Sequence, residues 1–328
     1  MSRGPFSATR RIIVLGLAAL TLLSSCATQA TKPSVVIFTL MTYDILDESI
    51  AGIKQGLAEE GYGPGAINLR EVNANGQTEL LSSYAREIAA TKPNVIVPVS
   101  TPIAQAVMTA VPSTQAVVFS TVTNPADIGY DKRPANLTGV SDAVNYSANI
   151  GLIRELLPSA HRIGLIYNPA ERNSQFGVAE TTKAVRSAGM ELVLVTATNS
   201  NEAVIAARSL IGRVDALYIG SDNTVASAIE GIVAATRGGK LPIVASDAGS
   251  VRKGALASVS VDYHQLGIAA GRLVARTLRE GKAPGSYPAI RFQGNSLVIN
   301  QSTASGIGFT FPASVLARKP QILGNAPK

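Results

Sequence analysis

The feature that most constrains this 328-residue chain is an alternation of short apolar runs with amphipathic helical stretches, and the alternation occurs twice. Residues 34–40, 66–73, 94–99, 116–120 and 137–141 read as strands of a first series. Residues 162–167, 192–196, 215–219, 242–245 and 255–260 read as strands of a second. The runs NVIVPV at 94–99 and AVVFS at 116–120 are almost wholly apolar, as strands covered on both faces must be. Between the first strands, Ile50, Ile53 and Leu57 share a helical face that ends at Gly61, and Leu80, Leu81, Tyr84 and Ile88 share another. In the second half, helices are expected over 173–188, 201–211 and 223–237. The last places Val225, Ala228, Ile229, Ile232 and Val233 at i, i+3, i+4, i+7 and i+8. Asn199 followed by Glu202 has the spacing of a capping box opening the 201–211 helix.

Two βαβ series of similar length predict an α/β molecule of two doubly wound parallel-sheet lobes with right-handed crossovers. Open sheets of this kind bind ligands beyond the carboxyl ends of their strands, so two lobes face to face would share one cleft. A further helix over 265–280 is expected to cross back and cover the first lobe, with the tail returning to the second. The first lobe is then 33–141 plus 263–290, the second 142–262 plus 291–328, and several chain crossings form a hinge.

Ahead of the first lobe, Arg3, Arg10 and Arg11 precede a twelve-residue apolar stretch from Ile12 to Leu23. That length suits the core of a signal peptide, whereas a spanning helix needs about 20 residues. Leu23-Ser24-Ser25-Cys26 resembles a bacterial lipobox, which implies diacylglyceryl attachment to Cys26 and removal of residues 1–25, leaving 26–32 as a polar tether. Cys26 is the single cysteine, so no disulfide can form within the chain. Removing the leader lowers the net charge from +7 to +4, and no Lys/Arg block or basic–aromatic interleaving marks a nucleic-acid surface. An apolar fraction of 46% with 16% charged residues excludes a disordered chain.

Enzyme signatures are missing. His161 and His264 are the only histidines and lie far apart, and no Gly-x-Ser-x-Gly, HExxH, CxxC, P-loop or G-x-G-x-x-G motif occurs. Gly61, Gly63 and Gly65 follow a helix and precede a strand, the reverse of a phosphate cradle, and read as a helix stop and turn. No cofactor or metal is expected. The strand ends instead carry small polar groups: Thr42-Tyr43-Asp44, Ser100-Thr101-Pro102 and Thr121-Val122-Thr123-Asn124 in the first series. The second offers Asn168 with Asn173-Ser174, Ser221-Asp222-Asn223-Thr224 and Ser246-Asp247. Each alone is an ordinary βα turn or cap; six facing one cleft suit a small zwitterion. Hydroxyls and helix N-termini accept a carboxylate, Asp142, Asp222 or Asp247 can oppose an ammonium, and Tyr43, Tyr146 or Phe176 can flank an apolar side chain.

The residues Ser100-Thr101-Pro102 with Ala104-Gln105, Gly139-Val140-Ser141-Asp142, Glu155-Leu156-Leu157-Pro158, Tyr167-Asn168-Pro169, Asp222-Asn223-Thr224-Val225 and Ser246-Asp247-Ala248 make a distinctive series. In order and spacing they resemble the TrpX-type family of ABC transporter substrate-binding proteins, from about residue 34 to the closing 311–318. The resemblance implies a periplasmic-binding-protein type 1 fold, and some members take aromatic amino acids. The first loop departs from the pattern, with Tyr43-Asp44-Ile45 where members often carry His-Pro.

The sequence is therefore read as an exported bacterial lipoprotein, monomeric and held to a membrane through Cys26. It would bind a small organic ligand between its lobes and deliver it to an ABC permease. The same closed form presented to a signalling receptor is the alternative. Ser100 and Thr123 are expected to hold a carboxylate, Asn223 and Thr224 to grip from the second lobe, and Asp247 to meet the ammonium.

Overall fold

The computed structural model describes Met1 and residues 32–324. The expected leader, Cys26 and all of the tether except Lys32 lie outside the described residues. Among those described, no helix is long and apolar enough to cross a membrane.

The first series runs β1 (Ser34–Thr39), α1 (Asp44–Glu59), β2 (Asn68–Asn73), α2 (Leu81–Ala90), β3 (Val95–Val99), α3 (Thr101–Ala110), β4 (Val117–Ser120) and β5 (Leu137–Ala143). The second runs α4 (Tyr146–Leu156), β6 (Arg162–Tyr167), α5 (Arg172–Ser187), β7 (Glu191–Thr196), α6 (Ser200–Leu210), β8 (Ala216–Ile219), α7 (Asn223–Ser227), α8 (Ile229–Arg237), β9 (Ile243–Ala245), α9 (Ala248–Arg252) and β10 (Ala257–Ser260). The chain closes with α10 (Tyr263–Glu280), β11 (Ile290–Gln293), β12 (Ser296–Asn300), α11 (Gln301–Ile307), α12 (Ala313–Ala317) and β13 (Gln321–Leu323).

Two sheets result, ordered β11-β5-β4-β3-β1-β2 and β13-β12-β10-β9-β8-β6-β7. All neighbours are parallel except β10 and β12. Each sheet thus contains the same doubly wound core, in which the second strand flanks the first and the chain then winds the other way. The apolar strands explain this layering through their period of two. Val35, Ile37, Val95 and Val97 pack against α1 and α10, while Val36, Phe38 and Ile96 pack against α2 and α3 on the other face. In the second sheet, Ile163 and Leu165 face the α4–α5 side and Ile166 faces the α6–α8 side.

The long helix α10 does cover the first lobe, and its route requires glycine. A Cβ at Gly52 would lie 2.1 Å from the His264 carbonyl, and one at Gly267 the same distance from the Ser49 carbonyl. Helices α1 and α10 therefore meet backbone to backbone, a spacing that even alanine would force apart.

Four sequence expectations need correction. The division at 141/142 falls inside β5, so Asp142 belongs to the first sheet. The tail does not return to the second lobe at 291, because β11 first pairs with β5 and only β12 joins the second sheet. The helix expected over 223–237 is interrupted at Ala228, whose N–H reaches back three residues to Val225 rather than four. In the expected capping box, Asn199 does accept from the Glu202 N–H, but the Glu202 carboxylate takes the Thr198 N–H, one residue earlier than the motif requires.

Three strands of chain pass between the lobes, after β5, after β10 and after β11. They gather at Gly294, whose N–H donates to the Ala143 carbonyl at 3.2 Å while its Cα faces Ser260 and Val261.

Candidate functional site

The carboxyl ends of both sheets converge on one cleft. The first lobe brings Tyr43 and Leu46 from the start of α1, Ser100 and Thr101 from the β3–α3 turn, Thr121 and Thr123 after β4, and Asp142 near the end of β5. The second brings Asn173 from α5, Ser221, Asp222 and Asn223 after β8, and Ser246 and Asp247 after β9. Tyr263 enters from the first turn of α10. The lining surrounds about 430 Å³ of space, counting the solvent at its mouth.

Direct contacts join the walls. The Thr123 and Ser221 hydroxyls are 2.9 Å apart, and the Tyr43 hydroxyl donates to Asp247 Oδ1 at 3.1 Å. Arg252 of α9 pairs with Asp44 at 3.0 Å and with Glu48, both on α1. Lys253 pairs with Asp44 at 3.5 Å and stands over the Tyr43 ring.

Three buried polar atoms of the lining have no protein partner: Ser100 Oγ, Asp142 Oδ1 and Asn173 Oδ1. A buried group left unpaired costs roughly 1–3 kcal/mol, so a ligand group that pairs with it is favoured. Ser100 is held here by strain. Its φ of 93° and ψ of 156° fall in a region that is otherwise almost exclusive to glycine. Thr121, a β-branched residue, sits at φ 57°, also on the cleft. The Tyr263 hydroxyl donates to Asp142 Oδ2 at 3.2 Å, and Oδ1 has no protein partner within hydrogen-bond distance. Burial raises its pKa to about 7, with the Tyr263 bond opposing part of that rise. For Asn173 the amide orientation is fixed, because Nδ2 donates to Glu171 Oε2 and to the Ser221 carbonyl, each at 3.0 Å.

The other carboxylates are engaged by the fold. Asp222 caps α7 through the Val225 N–H and accepts from the Asn168 N–H and the Ser174 hydroxyl, both at 2.6 Å. Burial, then the neighbouring Glu171, pushes its pKa up. Asp247 caps α9 through the Ser250 N–H at 2.7 Å and also holds the Ser250 and Tyr43 hydroxyls. Burial raises its pKa, while the Ser250 and Tyr43 hydrogen bonds work against that rise.

Among the residues expected at the site, Tyr43, Ser100, Thr101, Thr123, Asp142, Asn173, Asp222, Asn223 and Asp247 share the cleft, whereas Asn124, Asn168 and Thr224 do not line it. Asn124 stands before the short turn at Pro125–Ile128. Asn168 donates from Nδ2 to Thr224 Oγ1, which in turn donates to Glu171 Oε1, each at 2.8 Å. Glu171 also takes the N–H groups of Asn223 and Thr224, so it anchors the start of α7. Asn223 keeps a place in the lining, but its Nδ2 is likewise committed to Glu171 at 2.6 Å. Of the three aromatics considered, only Tyr43 lines the cleft. Tyr146 and Phe176 form an edge-to-face pair, 6.3 Å between centroids, in the second lobe's core. Tyr263 was not expected; nothing in its local sequence marks it, because only the crossover of α10 brings it beside Asp142.

A family model described as ABC transporter substrate binding protein matches residues 34–322. The chain belongs to that family. This substrate-binding protein is 31% identical over 281 residues to a tyrosine-binding protein of Clostridioides difficile (strain R20291), a match that covers 84% of this chain and 81% of the relative. A solved structure titled as an ABC domain in complex with L-Trp, from Streptococcus pneumonia, superposes with a TM-score of 0.84 at 30% identity, covering 89% of this chain and 100% of that one. A ligand-free, open structure of a substrate-binding protein with adhesive properties from Clostridium difficile gives 0.68 at 27% identity, covering 89% and 99%. The substrate-binding protein described here superposes better on the ligand-bound relative.

Proposed function

We propose that this chain is the extracytoplasmic, lipid-anchored receptor of an ABC importer, and that its ligand is a small amino acid, foremost an aromatic one. The observation that carries the reading is the group of unpartnered atoms Ser100 Oγ, Asp142 Oδ1 and Asn173 Oδ1, drawn from both lobes and buried at one cleft. Asp142 opposes the ligand's ammonium, a role expected of Asp247 until the three hydrogen bonds at that carboxylate are counted. Ser100, Thr101 and Thr123 stand at the N-terminus of α3 and across from it, where hydroxyls and the helix dipole suit a carboxylate. Tyr43 and Tyr263 in the lining offer ring surfaces against which an aromatic side chain would pack.

A ligand touching both walls binds the closed form more tightly than the open one, and that difference drives closure. The closed monomer then docks on a membrane permease. Cys26, alkylated after export, would keep it at the membrane surface; mass spectrometry of the N-terminal peptide should find diacylglycerol on Cys26. The binding claim is tested by a thermal-shift screen of the purified protein against the amino acids. A specific ligand raises the unfolding temperature in proportion to RT ln(1 + [L]/Kd). No shift from any amino acid would refute the reading.

A further inference from the structure

We propose that Arg252 and Lys253 form a charged clasp that draws the two lobes together from outside the cleft, with or without a ligand. Closure, and with it affinity, is then set in part by residues that never touch the ligand. This rests on the two-lobed receptor reading above and adds a second closing force to that of the ligand.

Among the described residues, the ion pairs that join the lobes are confined to one place. Helix α9 is fixed to the second sheet, where Val251 is fully buried and its carbonyl accepts from Asn300 Nδ2 at 2.8 Å. The two cations at its end reach across to α1 of the first lobe. Arg252 Nε donates to Asp44 Oδ2 at 3.0 Å, and its Nη2 donates to Glu48. Lys253 Nζ lies 3.5 Å from Asp44 Oδ1 and 4.9 Å from the centre of the Tyr43 ring, a cation–π contact. The other ion pairs among the described residues, such as Arg272 with Glu59 and Arg318 with Glu155, stay within one lobe.

None of Asp44, Glu48, Arg252 and Lys253 lines the cleft. Their side chains are between 27% and 38% exposed, so salt can screen them. One such pair alone contributes little. Here two cations share Asp44, and one of them also covers a ring. Gly249 permits the approach: a Cβ there would stand 3.1 Å from the Asp44 Cβ and 3.4 Å from Ile45 Cγ2. The clasp reaches the ligand site through Tyr43, which lines the cleft immediately before Asp44. The Tyr43 ring lies under Lys253, and its hydroxyl is 3.1 Å from Asp247 Oδ1 and 2.9 Å from Ser250 Oγ. Arg252 and Lys253 are therefore positioning residues. Swinging the lobes apart parts α1 from α9 and breaks all these contacts together, and apparent affinity scales with the fraction of molecules that is closed.

Small-angle X-ray scattering of the purified full-length protein, without ligand, tests the clasp in low and in high salt. The screening length falls from about 30 Å at 0.01 M to about 3 Å at 1 M. Wild type should show a larger radius of gyration at high salt. Arg252→Gln should be expanded already at low salt, with an unchanged unfolding midpoint, whereas Arg252→Lys keeps the charge and should follow wild type. Gly249→Ala, which wedges the helices apart, should be expanded at either salt. In calorimetric titration with L-tyrosine and L-tryptophan, Arg252→Gln should weaken binding about ten-fold. The loss should lie in faster dissociation, because a zwitterion without net charge gains little from steering. Equal radii for wild type and Arg252→Gln at both salts would overturn the inference, and binding of either amino acid would still leave the proposed function standing. A wild type that expands with salt but binds neither amino acid would keep the clasp and remove the aromatic amino-acid reading.

Discussion

On the first-lobe wall, Asp142 and Ser100 each keep a buried oxygen without a protein partner. On the second-lobe wall, Asp222, Asp247 and Glu171 commit their oxygens to caps and loop bonds. Both walls present buried polar groups at or just beyond the carboxyl ends of parallel strands. One wall is left open, at Ser100 on a strained backbone, and the other is locked. A locked carboxylate shapes the cleft, whereas an open one reads what enters it. Only Asn173 Oδ1 gives the second lobe an open group of its own.

The largest effect that could break this contrast is at Asp142. Asp142→Asn should weaken ligand binding about 100-fold, because a charge-assisted contact in a buried site is lost. The same change should stabilise the ligand-free protein at neutral pH. A carboxyl whose folded pKa is raised, here from 3.8 to about 7 by burial, contributes stability that is present below pH 4 and lost as pH rises through 7. At about 1.36 kcal/mol per unit this is on the order of 4 kcal/mol by pH 8. Unfolding of wild type and variant between pH 4 and 8 checks the sign. Ligand binding should run oppositely and strengthen as pH rises from 6 to 8, as the Asp142 carboxylate that meets the ammonium becomes populated.

Next comes Glu171 on the locked wall. Glu171→Ala strands the N–H groups of Asn223 and Thr224 and the amide of Asn173. A loss of about 3 kcal/mol in stability is expected, measured by denaturant unfolding. Affinity should fall less than at Asp142. The opposite ranking would reverse the roles assigned to the two walls.

Ser100→Gly should show a smaller and divided effect. Glycine accepts the φ of 93° without strain, so stability should rise by about 1 kcal/mol while affinity drops about ten-fold. Asn124→Ala is expected to change affinity by less than two-fold, since Asn124 lies outside the lining.

The central strands were legible because β3 and β4 are buried on both faces and therefore apolar throughout. The edge strand β11 was not: its IRFQ sequence is mostly exposed, and only the returning chain gives it a partner in β5. At the site, position was readable from strand ends, but hydrogen-bond state was not. Asp142 and Asp247 look alike in sequence; what divides them is the helix start after Asp247, whose Ser250 N–H takes up its oxygen. Thr224 misled for the same reason, because Glu171, 53 residues earlier, claims its hydroxyl. Asp142 itself was placed in the wrong lobe, since β5 continues to Ala143.

The most direct test titrates the tightest amino-acid ligand from the thermal screen into wild type and Asp142→Asn at pH 8. Affinity in the variant should fall about 100-fold, with wild-type affinity recovered in neither buffer nor salt. Equal affinities would show that the open oxygen of Asp142 does not hold the ligand, and would contradict the account of the cleft.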